Sequence, residues 1–139
     1  MMKSVARGLL LVFIAVGVVS AARADRVTVT KRGDRYVLRV KAGIGGRAAH
    51  DTRRICDFHL ILHNGVIVSH RSPEGWHGSH QGGEVDWETE TACIPLGKGL
   101  SGFIIKISDA TGMADWVTTD SQGETIQFGV INLNGPSAY

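Results

Sequence analysis

Cys56-Asp57-Phe58-His59-Leu60-Ile61-Leu62-His63-Asn64-Gly65-Val66-Ile67-Val68-Ser69-His70 is the stretch whose reading decides the fold. Two apolar runs, rich in β-branched residues, flank an Asn-Gly pair. Both residues of that pair accept the positive φ of a type I′ turn, so the segment predicts a β-hairpin. The turn also sets a register, with His63 opposite Val66, Ile61 opposite Val68 and His59 opposite His70. Apolar residues lie on both faces of the pair, which predicts a central hairpin.

Upstream the period is again two. Arg26-Val27-Thr28-Val29-Thr30 and Arg35-Tyr36-Val37-Leu38-Arg39-Val40 alternate around Gly33-Asp34. A two-residue loop there sets Val29 against Leu38 and Val27 against Val40. The other side carries Thr28, Thr30, Arg32, Arg35 and Arg39, a wet face. Gly43-Ile44-Gly45-Gly46-Arg47 reads as a loop, because glycines at that density favour neither strand nor helix.

Downstream, Ser72 to Gly83 reads as a long loop rich in Gly, Ser and His. Glu84 to Pro95 alternates, with Val85, Trp87, Thr89, Thr91 and Cys93 on one face and Glu84, Asp86, Glu88 and Glu90 on the other. Gly102 to Ser108 is a buried strand, and Asp109-Ala110-Thr111-Gly112 a turn. Asp115 to Thr119 and Glu124 to Ile131 complete the sheets, and residues 134–139 form a frayed tail.

Seven to eight short strands with frequent turns and no amphipathic helix predict an all-β fold, a single antiparallel β-sandwich over residues 25–133. The architecture expected is immunoglobulin-like. The spacing of Cys56 and Cys93 around Trp76 and Trp87 does not match a true immunoglobulin domain, so only the architecture is carried over.

The N-terminal segment has its own logic. Lys3 and Arg7 precede an uncharged, mostly apolar run from Gly8 to Val19, followed by Ala22-Arg23-Ala24. A basic start, an apolar centre and an A-x-A end predict a secretory signal peptide, residues 1–24, cleaved before Asp25. The run is too short for a membrane-spanning helix, which needs about 20 apolar residues. No cysteine follows it to carry a lipid. The expected address is therefore the periplasm or the exterior, with no membrane attachment after cleavage. In such an oxidising compartment Cys56 and Cys93, the only two cysteines, are expected to form one disulfide.

Cleavage would also change the charge. The whole chain is formally +2, but Lys3, Arg7 and Arg23 leave with the signal. The remainder lacks the positive balance and basic–aromatic surface of a nucleic-acid binder. An asymmetry persists within it: residues 25–54 are rich in Lys and Arg, and residues 55–139 in acids. Complementary faces of one domain are the expectation.

All six histidines fall between His50 and His80. Imidazole is the commonest ligand for zinc and copper, so the crowding suggests a metal. His59 and His63 are about 13 Å apart along an extended strand and cannot chelate one ion. His59 and His70, if cross-strand neighbours, would have Cβ atoms about 5 Å apart. Were Cys93 beside Cys56 and strand 84–95 antiparallel to strand 56–63, Glu90 would face His59 and Asp86 would face His63. The expected metal set is thus His59, His70 and Glu90, closed over by His77 and His80, holding copper or zinc.

The stripe Glu84, Asp86, Glu88 and Glu90 reads best as a guard on an edge strand that also docks Arg32, Arg35 and Arg39. A calcium surface is less apt, because calcium wants six to eight converging oxygens. There is no Gly-x-Ser-x-Gly, His-Glu-x-x-His, Cys-x-x-Cys or phosphate-cradling loop. Trp76, Trp87 and Trp116 read as core or core edge.

The first functional expectation is a non-enzymatic binding or interaction module for a protein or small ligand, acting through the 72–83 loop. A periplasmic copper- or zinc-binding protein comes second, and a small hydrolase third.

Overall fold

The computed structural model describes residues 25–43, 53–108 and 112–134. The signal segment 1–24, residues 44–47 of the glycine loop, His50, the turn residues 109–111 and tail residues 135–139 lie outside the described residues. Nine strands, and no helix, occur among the residues described. They are β1 (Arg26–Arg32), β2 (Arg35–Lys41), β3 (Asp57–Leu62), β4 (Val66–Arg71), β5 (His77–Gln81), β6 (Glu84–Glu88), β7 (Gly99–Ser108), β8 (Met113–Thr119) and β9 (Thr125–Asn132). Two antiparallel sheets form a sandwich, one ordered β1-β2-β7-β4 and the other β5-β6-β3-β8-β9.

The first hairpin forms as its alternation requires. Val27 pairs with Val40 and Val29 with Leu38, and Gly33 takes φ 65° in the turn. Leu38 and Val40 point into the core while Arg35 and Arg39 stay outside. Asp34 in the same turn meets Lys106 of β7 at 3.2 Å.

The Asn64-Gly65 segment does not close a hairpin. β3 lies in one sheet and β4 in the other, so this segment is a corner that crosses the sandwich. The reason is that both backbone edges of β3 are occupied, by β6 and by β8. Even beyond the strand, His63 N–H donates to Met113 O at 3.0 Å, leaving nothing for β4. β4 pairs instead with β7 and is an edge strand, with Val66 and Val68 each 51% exposed. β3 is central, as expected.

Two further expectations are corrected. The 72–83 segment is a loop only as far as Trp76; His77–Gln81 is β5, paired with β6 along its length. Hence β6 is not an edge strand. The 84–95 strand stops at Glu88, where Thr89 turns the chain. Its hydroxyl donates to Gly75 O at 2.7 Å and accepts the N–H groups of Ala92 (2.9 Å) and Thr91 (3.3 Å).

Cys56 and Cys93 are joined in a disulfide with Cα atoms 4.4 Å apart. It stands beside the Ile55–Ile94 bridge, so it staples the flank of β3 to the β6–β7 connection and does not link the two sheets. Phe103 of β7 is the centre of the core. It meets Phe58 at 5.2 Å, Trp87 at 5.2 Å and Trp76 at 5.1 Å, each edge to face. Phe58 and Trp87, cross-strand partners, stack at 5.5 Å. Edge-to-face contact is the favoured geometry for aromatic quadrupoles, so one side chain locks the two sheets together.

At the other end, Asp25 is buried and its carboxylate accepts the Gly43 N–H and the Thr118 hydroxyl, both at 2.8 Å.

Candidate functional site

Alternation in the five-stranded sheet sends Phe58, Leu60, Val85, Trp87, Ala114 and Trp116 inward. The intervening residues form one outer face, whose rows follow from the register. Ser79, Asp86, His59, Val117 and Phe128 make one row across β5, β6, β3, β8 and β9. His77, Glu88, Asp57 and Thr119 make the next.

Three carboxylates converge where these rows meet β6 and β3. Ligand oxygens of Asp57, Asp86 and Glu88 all lie within 4.8 Å of one another. Burial, a hydrogen bond with Asp86 and the charges of Asp86 and Glu88 push the Asp57 carboxyl up to about 9. A proton held on Asp57 and donated to Asp86 relieves the repulsion at neutral pH. Asp86 Oδ1 is buried and has no hydrogen-bond partner among the described residues. The patch is short of positive charge, and a cation brought to it would displace that proton.

The opposite half of the same face carries exposed apolar side chains beside Asp115. Phe128 is 74% exposed and Val130 56%, both on the edge strand β9 and on its outer side. Burying a phenyl ring contributes about 2–3 kcal/mol, so an exposed one beside a valine is a standing incentive to bind.

The structure divides the expected metal set. His59 faces Asp86, not Glu90, and its Nε2 lies 3.1 Å from Glu84 Oε1. His63 Nε2 lies 2.8 Å from Asp115 Oδ1. His77 sits opposite Glu88 on the outer face, whereas Glu90 lies past the end of β6, in the Thr89 turn. His70 belongs to the other sheet and is no cross-strand neighbour of His59. It instead meets His80, Nδ1 to Nδ1 at 2.6 Å. The proposed His70–His59–Glu90 row therefore does not exist, for two physical reasons: the corner at Asn64-Gly65, and the four-residue register offset at Thr89–Ala92.

Arg35 and Arg39 lie on the outer face of the four-stranded sheet, away from the acidic stripe. The two charged faces back onto each other through the core and do not dock. Asp57 was not foreseen as a site residue. Its only signal was a carboxylate at the start of a strand that is apolar apart from His59, and its neighbours depended on register.

No protein-family model matches the sequence, and no curated protein matches it either. Among solved structures, the chain is similar to an uncharacterised protein from Nocardia farcinica described as having an immunoglobulin-like fold. The TM-score is 0.46 at 17% identity, covering 81% of this chain and 86% of that one. A likeness that faint says nothing of what this chain binds.

Proposed function

We propose that this chain is an exported, non-enzymatic binding module that docks a basic, partly apolar polypeptide segment on the outer face of its five-stranded sheet. Export is supported by the disulfide and by the signal-like residues 1–24, which would leave Asp25 as the first residue. The observation that carries the docking is that the Asp57–Asp86–Glu88 patch and the exposed Phe128 share one face. Charge decides the partner's sign: a lysine or arginine supplies what the three carboxylates lack.

The spacing decides the partner's shape. Asp86 and Phe128 are three strands apart in one row, about 14 Å at the usual strand spacing. An extended peptide presents side chains on one side about every 7 Å, so a basic and an apolar residue four positions apart match that span.

Peptide titration followed by amide chemical shifts tests this. A peptide with lysine and leucine four positions apart should move resonances of β6, β3, β8 and β9, and the version with glutamate for lysine should not. Asp86→Asn and Phe128→Ser should each weaken the effect. Equal response to both peptides, no response, or concentration-dependent self-association through this face in place of peptide binding would overturn the assignment.

A further inference from the structure

His70 and His80 come from different sheets. His70 is on β4, opposite Ile105, and His80 on β5, opposite Val85. These two edge strands meet at one seam of the sandwich, where Ile67 N–H donates to Gly82 O at 2.9 Å. Across the seam the imidazoles stand nearly perpendicular, at 80° with centroids 4.8 Å apart. Their Nδ1 atoms approach to 2.6 Å. Two ring nitrogens so close cannot both carry a proton between them; one donates a single proton to the lone pair of the other.

The pair is held in place by its surroundings. A Cβ at Gly78 would lie 2.6 Å from His70 Cδ2 and 2.9 Å from its Nε2, so only a residue without a side chain lets the ring lie against β5. Gly78 is also flanked by Trp87, whose Cδ1 would be 2.8 Å from the same Cβ. His70 is thus wedged by backbone and core, with its Nδ1 directed at His80. Half-buried His70 and exposed His80 leave the outer side of the pair open to water.

We infer that His70 and His80 form a two-histidine site for a borderline divalent ion, zinc or copper(II), with water completing the coordination. This site is separate from the acidic face, and it does not depend on the peptide-docking reading. Metal–nitrogen bonds of about 2.0–2.1 Å at a tetrahedral angle place the nitrogens about 3.3 Å apart. Reaching that needs the two nitrogens to part by about 0.7 Å from their present 2.6 Å, a shift available to the exposed His80. Binding displaces the proton between the rings, which passes to the free Nε2 of a neutral pair or to water from a protonated one, and both imidazoles then act as neutral ligands. Nitrogen donors with water suit zinc, copper and nickel, not calcium or magnesium.

Because the ion would bridge β4 and β5, it would also pin the seam between the sheets. The test is titration of untagged protein with zinc chloride, reading histidine side-chain nitrogen resonances, and with copper(II) sulfate, reading electron paramagnetic resonance. One equivalent should shift His70 and His80 together. His80→Asn should abolish stoichiometric binding, and His59→Asn and His77→Asn should leave it intact. Gly78→Ala, which keeps both histidines but displaces the His70 ring, should weaken it; amide spectra report whether that variant still folds. Binding that survives His80→Asn, that follows His59 or His77 instead, or that is absent from the parent protein overturns the site.

Discussion

Ile55 and Ile94 form an isolated antiparallel bridge immediately outside the disulfide, donating N–H groups to each other's carbonyls at 3.0 and 2.8 Å. Continued inward without interruption, that register would put Glu90 opposite His59. The pairing observed puts Asp86 there. The difference of four residues is taken up by the Thr89–Ala92 turn, so this turn decides which carboxylates meet β3.

Thr89 is therefore the side chain on which the acidic patch depends. Thr89→Val should cost about 1–3 kcal/mol, since it strands the Gly75 carbonyl and the Ala92 N–H beneath a buried methyl group. Thr89→Ser should recover most of the loss. Urea denaturation of the three proteins measures it; equal midpoints for threonine and valine would rule the hydroxyl out.

The disulfide closes a loop with a sequence separation of 37. A Cys56→Ala, Cys93→Ala double variant should lose about 3–4 kcal/mol of stability, because its unfolded chain regains the freedom that the cross-link removed. The denaturation midpoint should fall while the native near-ultraviolet spectrum stays unchanged. The Ile55–Ile94 bridge should hold the register in the folded variant, which amide exchange protection at those two residues would show.

Asp57 predicts a pH dependence with a definite sign. Its folded carboxyl is raised from 3.8 to about 9, so between those values the folded state holds a proton that the unfolded state has released. The stabilisation is complete below about pH 4 and is lost as pH rises toward 9, with a slope of at most about 1.4 kcal/mol per pH unit. Asp57→Asn, which cannot ionise, should flatten this slope. It should be more stable than the parent at pH 8 but not at pH 4. Parallel stability profiles for the two proteins from pH 4 to 9 would remove the shared-proton account.

Phe103 should be the costliest core position to truncate. Phe103→Ala removes three edge-to-face contacts from a fully buried site and should cost about 3–5 kcal/mol. Trp76 and Trp87 both pack on that ring, so the near-ultraviolet circular dichroism of the folded variant should drop as well. A loss under 1 kcal/mol with an unchanged tryptophan signal would show that the sheets are locked elsewhere.

The two turn signals of the chain show what the sequence alone determined. At Gly33-Asp34, alternation and turn chemistry were enough: among the described residues β1 is an edge strand with only β2 beside it, and no described strand competes for the local pairing. The all-β class and the inward side of most strands follow from the same short-range rules, and the cysteine pairing from there being two cysteines in the sequence. At Asn64-Gly65 an equally good local signal lost, because β6 and β8 claim both edges of β3 and each strand has only two. That competition is a property of the whole sheet, not of any segment. It parted His59 from His70, brought His70 to His80 across the seam, and set Asp57 beside Asp86 and Glu88. Strand periodicity says which side of a strand a residue is on, whereas its neighbour on that side is decided only by tertiary register.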